Sequence, residues 1–75
     1  LRIAFVFIVV EPGAEMEVLE RLRHIPEVRE AYFVYGVYDL VAKVETDAID
    51  HLKEIITYKI RKLEKVTSTT TTVVM

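Results

Sequence analysis

The chain has 75 residues, no cysteine and no tryptophan, with 10 basic and 12 acidic side chains giving a formal charge of −2. That length forms one domain spanning residues 1–75, and the missing thiols exclude disulfides and thiolate metal sites, in keeping with a reducing, cytoplasmic setting. Interspersed charges near neutrality provide no field for drawing in nucleic acid.

Ile3 to Val10 is an unbroken apolar run rich in β-branched and aromatic residues, bounded by Glu11-Pro12-Gly13. It is far shorter than the roughly 20 residues that cross a bilayer, so no membrane role is expected, and its composition predicts a strand. Pro12-Gly13 then opens a helix from about Ala14, with Glu15 and Glu17 where the macrodipole favours acids. Val18, Leu19, Leu22 and Ile25 form its apolar stripe, and Pro26 ends it. Residues 28–35 and 39–45 read as two strands joined through Gly36. Thr46-Asp47 predicts the N-cap of a second helix, whose stripe runs Ile49, Leu52, Ile55, Ile56, Ile60 and Leu63. Lys59, Arg61, Lys62 and Lys65 gather at its C-terminal end, where the dipole favours cations. Val66 to Met75 is a strand of valine, threonine and serine.

The order β-α-β-β-α-β predicts a ferredoxin-like α+β fold. Right-handed crossovers place both helices on one face of a four-stranded antiparallel sheet, with the first and third strands central. The uncovered face of such a sheet should be polar, yet the first strand is apolar on both sides. It offers Ile3, Phe5, Phe7 and Val9 on one side, and Ala4, Val6, Ile8 and Val10 on the other. A second subunit packed sheet to sheet or edge to edge, as in a dimeric α+β barrel, is therefore expected.

Enzyme chemistry finds little footing. Gly13 and Gly36 are the only glycines, which excludes a Gly-rich phosphate loop. Ser68 is the sole serine, and His24 and His51 are expected on solvated helix surfaces, too separated for a zinc site. A small dimeric α+β-barrel enzyme would need a catalytic His, Asn or Trp in a cavity, and the chain contains no Asn or Trp. No cofactor is expected. The turn Tyr35-Gly36-Val37-Tyr38-Asp39-Leu40 stands out instead. Gly36 can simply supply an unusual φ and Asp39 cap the turn, or the pair can hold the charged ends of a small zwitterion. The hydroxyl run presents Thr67, Thr69 and Thr71 on one face and Ser68, Thr70 and Thr72 on the other. It is either a solvated edge strand or one wall of a polar pocket at a subunit junction.

Val34-Tyr35-Gly36-Val37-Tyr38-Asp39-Leu40, followed by Thr69-Thr70-Thr71-Thr72-Val73-Val74-Met75, resembles the effector domain of the Lrp/AsnC, or feast/famine, regulators. Ile25-Pro26-Glu27-Val28 ahead of the second strand is also similar, so the resemblance covers essentially the whole chain. It implies a RAM domain that forms homodimers and assembles into a higher oligomer, an octamer or decamer-like ring, with a small amino acid bound between dimers. By position, Val34, Tyr35, Gly36 and Tyr38 would line the ligand's main-chain site and Asp39 would meet its ammonium. Thr69 and Thr71 match the family's T-x-T positions and would supply hydroxyls. The helix-turn-helix of typical members has no counterpart in these residues. The resemblance is thus to a stand-alone or excised effector domain, without direct operator binding, that can co-assemble with full-length Lrp/AsnC relatives.

Overall fold

The computed structural model describes residues 1–75. Its elements are β1 (Arg2–Val10), α1 (Glu15–Arg23), β2 (Val28–Phe33), β3 (Leu40–Thr46), α2 (Ile49–Glu54) and β4 (Val66–Val73), with a π-helical segment (Ile55–Ile60) continuing α2. The strands pair antiparallel in the order β2-β3-β1-β4, so the expected ferredoxin-like α+β fold is present with β1 and β3 central. No helix is long and apolar enough to cross a membrane.

One face of the sheet carries the core. Ala4, Val6, Ile8 and Val10 of β1 and Leu40, Ala42 and Val44 of β3 are buried. Val18, Leu19 and Leu22 of α1 and Leu52, Ile55, Ile56 and Ile60 of the second helical unit join them in a single cluster. Period-two burial along β1 and β3 follows from the pleat, which sends alternate side chains to opposite faces. Gly13, at φ +89°, turns the chain from β1 into α1 in a conformation that side chains rarely adopt.

Where the elements depart from the expectation, the reasons are local. Ala48, not Thr46 or Asp47, occupies the N-cap position of α2, and it makes no side-chain cap bond. Thr46 ends β3 on the buried face, and its hydroxyl donates to the Ala48 carbonyl at 2.7 Å rather than reaching a helix amide. The second helix does not keep one period: the Arg61 amide donates to the Ile56 carbonyl at 2.9 Å, a π-type bond. This wider turn buries Ile55, Ile56 and Ile60 together. β2 stops at Phe33 because the next amide, on Val34, turns to the Asp39 carbonyl at 2.9 Å and closes the hairpin.

Lys65 has a left-handed backbone, φ 73°, at the entry to β4. Its carbonyl accepts the Glu11 amide at 2.9 Å, and its ammonium meets Glu17 at 3.0 Å. The exposed ion pair offsets little of the roughly 1–2 kcal/mol that a side chain adds in this conformation. Lys65→Gly and Lys65→Ala both remove the pair, but only glycine relieves the backbone. Urea unfolding should therefore find Lys65→Gly more stable than Lys65→Ala by about 1 kcal/mol; equal midpoints would contradict this account of the turn.

Candidate functional site

The hairpin between β2 and β3 is anchored at its base and free at its tip. The Asp39 amide donates to the Ile8 carbonyl at 2.9 Å. The Asp39 carboxylate reaches β1, where Oδ2 accepts the Val10 amide at 2.9 Å. From the other side, the Thr67 hydroxyl donates to the Val9 carbonyl at 3.1 Å. The Val9–Val10 peptide is thus gripped on one edge by a residue at the mouth of β3 and on the other by a residue of β4. Tyr35 and Val37 at the tip are exposed, and Gly36 has φ +156° with open space where a Cβ would stand.

Tyr38 folds back onto the sheet face away from the helices. Its ring lies 5.3 Å from that of Phe7, and its hydroxyl donates to Thr70 Oγ1 at 3.3 Å. Strand register explains the choice of threonine. Thr70 pairs with Phe7, whereas Thr69 and Thr71 pair with Ile8 and Val6, whose side chains are buried against the helices. Within one chain, therefore, Tyr38 meets Thr70, while Thr69 and Thr71 occupy the opposite face of β4. The shift between Val9 and Val10 sets this register, and it lets both Val66 and Val73 pack against the core.

The uncovered face is apolar in its middle and charged at one corner. Phe5 and Phe7 of β1 and Val41 of β3 are only half-buried, beside exposed Tyr32 of β2. In the corner, Lys43 Nζ lies 3.5 Å from Glu30 and 3.4 Å from Glu45, and Arg29 lies 3.9 Å from Glu45. The Tyr32 hydroxyl bonds Glu30, holding that carboxyl below its usual range and raising the phenol. Hydrogen bonding to Glu45, then attraction to both acids, raises the Lys43 ammonium.

Two grooves are large enough for a small molecule. One, of about 220 Å³, is lined by Pro26, Glu27, Arg29, Glu45, Thr46, Asp47 and His51. Most of its charges already answer one another: Glu27 lies 3.5 Å from His51 and 3.6 Å from Lys59, and Glu45 pairs with Arg29. The other, of about 280 Å³, runs along β4 and is lined by Arg61, Val66, Thr67, Ser68 and Thr69. By sequence Arg61 belongs with the cations of a helix end; its place beside the hydroxyl strand depends on the turn between helix and β4.

The family model for the Lrp/AsnC ligand-binding domain matches residues 3–75. The chain belongs to the Lrp/AsnC family. Escherichia coli regulatory protein AsnC is 35% identical over 57 residues, a match covering 76% of this chain and 38% of AsnC. The match thus spans well under half of that curated relative. The crystal structure of FFRP-DM1 superposes with a TM-score of 0.96 at 47% identity, covering 100% of both chains. A feast or famine regulatory protein from Mycobacterium tuberculosis, solved as a complex with L-methionine, superposes at 0.83 with 30% identity. That alignment covers 100% of this chain and 50% of the other.

Two predictions follow for this Lrp/AsnC domain. Asp39→Ala should cost about 1–3 kcal/mol in urea unfolding, because it strands the Val10 amide at the end of a central strand. Asp39→Asn, which keeps a carbonyl acceptor, should lose less. The second concerns acid. Glu17, bonded and attracted to Lys65, and Glu30, bonded to Tyr32, are both held below the ordinary value of 4.5. The unfolded chain consequently takes up these protons first as pH falls, so their contribution is present above 4.5 and disappears below it. Urea midpoints should drop between pH ~6 and ~3, and drop less in a Glu17→Gln, Glu30→Gln double variant.

Proposed function

We propose that this domain is an amino-acid-sensing regulatory module whose ligand site is completed between copies of the chain. The observation that carries the reading is the separation of the two walls. The hairpin residues Val34, Tyr35, Gly36, Tyr38 and Asp39 form one wall, and Thr69 and Thr71 form the other. In a single chain Tyr38 packs over Thr70, while Thr69 and Thr71 lie on the far face of β4. A pocket that uses both walls draws them from different subunits. Exposed Tyr35 and Val37 at the hairpin tip are suited to reach a neighbouring copy.

The half-buried aromatic face of β1 supports a homodimer as the building unit, and a ring of dimers would bring hairpins against β4 strands. Membership of the Lrp/AsnC family and the L-methionine complex of the mycobacterial relative support an amino acid as ligand. The mechanism is linkage: a ligand that binds one assembly state better than another shifts the balance between them. Regulation would then pass through assembly, including co-assembly with full-length Lrp/AsnC relatives, without this domain touching DNA. The domain acts as a binding module and not as an enzyme.

Isothermal calorimetry across the proteinogenic amino acids, with sedimentation velocity in the presence and absence of each binder, tests this reading. At least one amino acid should bind at no more than one site per chain and alter the size distribution. A panel with no heat and an unchanged assembly would refute it.

A further inference from the structure

The uncovered face of the sheet is graded from one edge to the other, and strand register sets its residues in rungs. One rung runs Glu30, Lys43, Phe5 and Thr72, from β2 across β3 and β1 to β4. The next runs Tyr32, Val41, Phe7 and Thr70. Each rung therefore starts on a charged or phenolic group, crosses a phenylalanine and ends on a threonine.

The charged end is paired within the chain but not saturated. Lys43 Nζ lies 3.5 Å from Glu30 and 3.4 Å from Glu45, and the Tyr32 hydroxyl is given to Glu30. An ammonium has three protons and a carboxylate about four acceptor positions, so both keep capacity toward the open side. In one chain solvent meets that capacity, because neither Lys43 nor Glu30 is buried. A purely apolar cover would leave it unmet at a cost. The threonine end carries no charge, and a hydroxyl both donates and accepts, so it answers an ammonium or a carboxylate alike.

Two sheets packed face to face lie about 10 Å apart with their strands nearly aligned, which leaves two twofold axes for a second copy. An axis across the strands lays β2 on β2, so the charged corner meets its own charges, an unfavourable pairing. An axis along the strands, between β3 and β1, lays each rung on itself in reverse. Glu30 then stands over Thr72 of the second copy, Tyr32 over its Thr70, and Lys43 over its Phe5 ring. The corner is met by hydroxyls and a ring face, and the middle of the interface stays apolar.

We propose that the Glu30–Tyr32–Lys43 corner is the selectivity element of the homodimer, docking on the threonine row of a second copy. The proposal rests on the homodimer reading above and adds which half of the face meets which. It also sets a rule for co-assembly: Glu30 admits a partner with a hydroxyl in the place of Thr72 and repels one with a carboxylate there.

Glu30 and Thr72 stand on opposite edge strands, three strand spacings or roughly 14 Å apart in one chain. Coupling between them therefore reports contact between copies. Sedimentation equilibrium of the full chain compares wild type with Thr72→Glu, Thr72→Lys, Glu30→Gln and the Thr72→Glu, Glu30→Gln double variant, each with an unchanged core amide spectrum. Thr72→Glu should raise the dimer dissociation constant at least tenfold and Thr72→Lys much less. Adding Glu30→Gln to Thr72→Glu should recover most of the loss. Undisturbed dimerisation of Thr72→Glu, equal losses from glutamate and lysine, or a loss that Glu30→Gln leaves unrelieved would overturn the proposal while a homodimer stands. A wild-type chain that is monomeric at every concentration would overturn the homodimer reading along with it.

Discussion

Both faces of β1 are apolar, and two helices cover only one of them. Ala4, Val6, Ile8 and Val10 lie under the helices, while Ile3, Phe5, Phe7 and Val9 remain half-exposed in the middle of the other face. The rest of the molecule is arranged around this strand. β3 and β4 pair with its two edges, the hairpin folds Tyr38 over Phe7, and Asp39 caps its end. A chain of 75 residues has a small margin of stability, so an uncovered aromatic surface at its centre is costly to leave in water. In the proposed homodimer, burial against a second copy would remove that cost and make assembly part of folding.

The second organising feature is the Val9–Val10 peptide. An irregular register there hands the outer edge of β1 to Thr67 and its inner edge to Asp39. The same irregularity sorts the hydroxyls of β4, sending Thr70 toward Tyr38 and Thr69 toward the helix side. Asp39 and the β4 hydroxyl of Thr67 thereby stand on opposite edges of a central strand. Under the proposed function, a neighbouring chain would bring the hairpin wall of one copy against the β4 wall of another, which would couple ligand binding to assembly.

Much of the fold was legible in the sequence because it rests on periodicity. The unbroken apolar run of β1, the β-branched composition of the other strands and the stripes of both helices carried the element order, the crossover rule carried the strand order, and the two-sided apolarity of β1 marked the doubly apolar sheet. The features that escaped depend on backbone details that periodicity does not encode. The spacing of Leu52, Ile55, Ile56 and Ile60 suits a regular helix nearly as well as one with a π turn. Thr46 has the chemistry of a cap, but tertiary packing holds its hydroxyl at the end of β3. Arg61 sat among helix-end cations until the turn through Lys65 brought β4 beside it. One clue was present in the strand itself: Val66 and Val73, an odd number of residues apart, both face the core, which requires a bulge between them. The turn at Gly36 and Asp39 was recognisable as special, yet which atom Asp39 holds was not.

Sedimentation equilibrium of the intact chain over a wide concentration range, repeated with Phe7→Lys, measures the central claim most directly. The account predicts assemblies larger than the 8.7 kDa chain at micromolar concentration, with the lysine variant shifted strongly toward smaller species. A folded wild-type monomer throughout that range would contradict it.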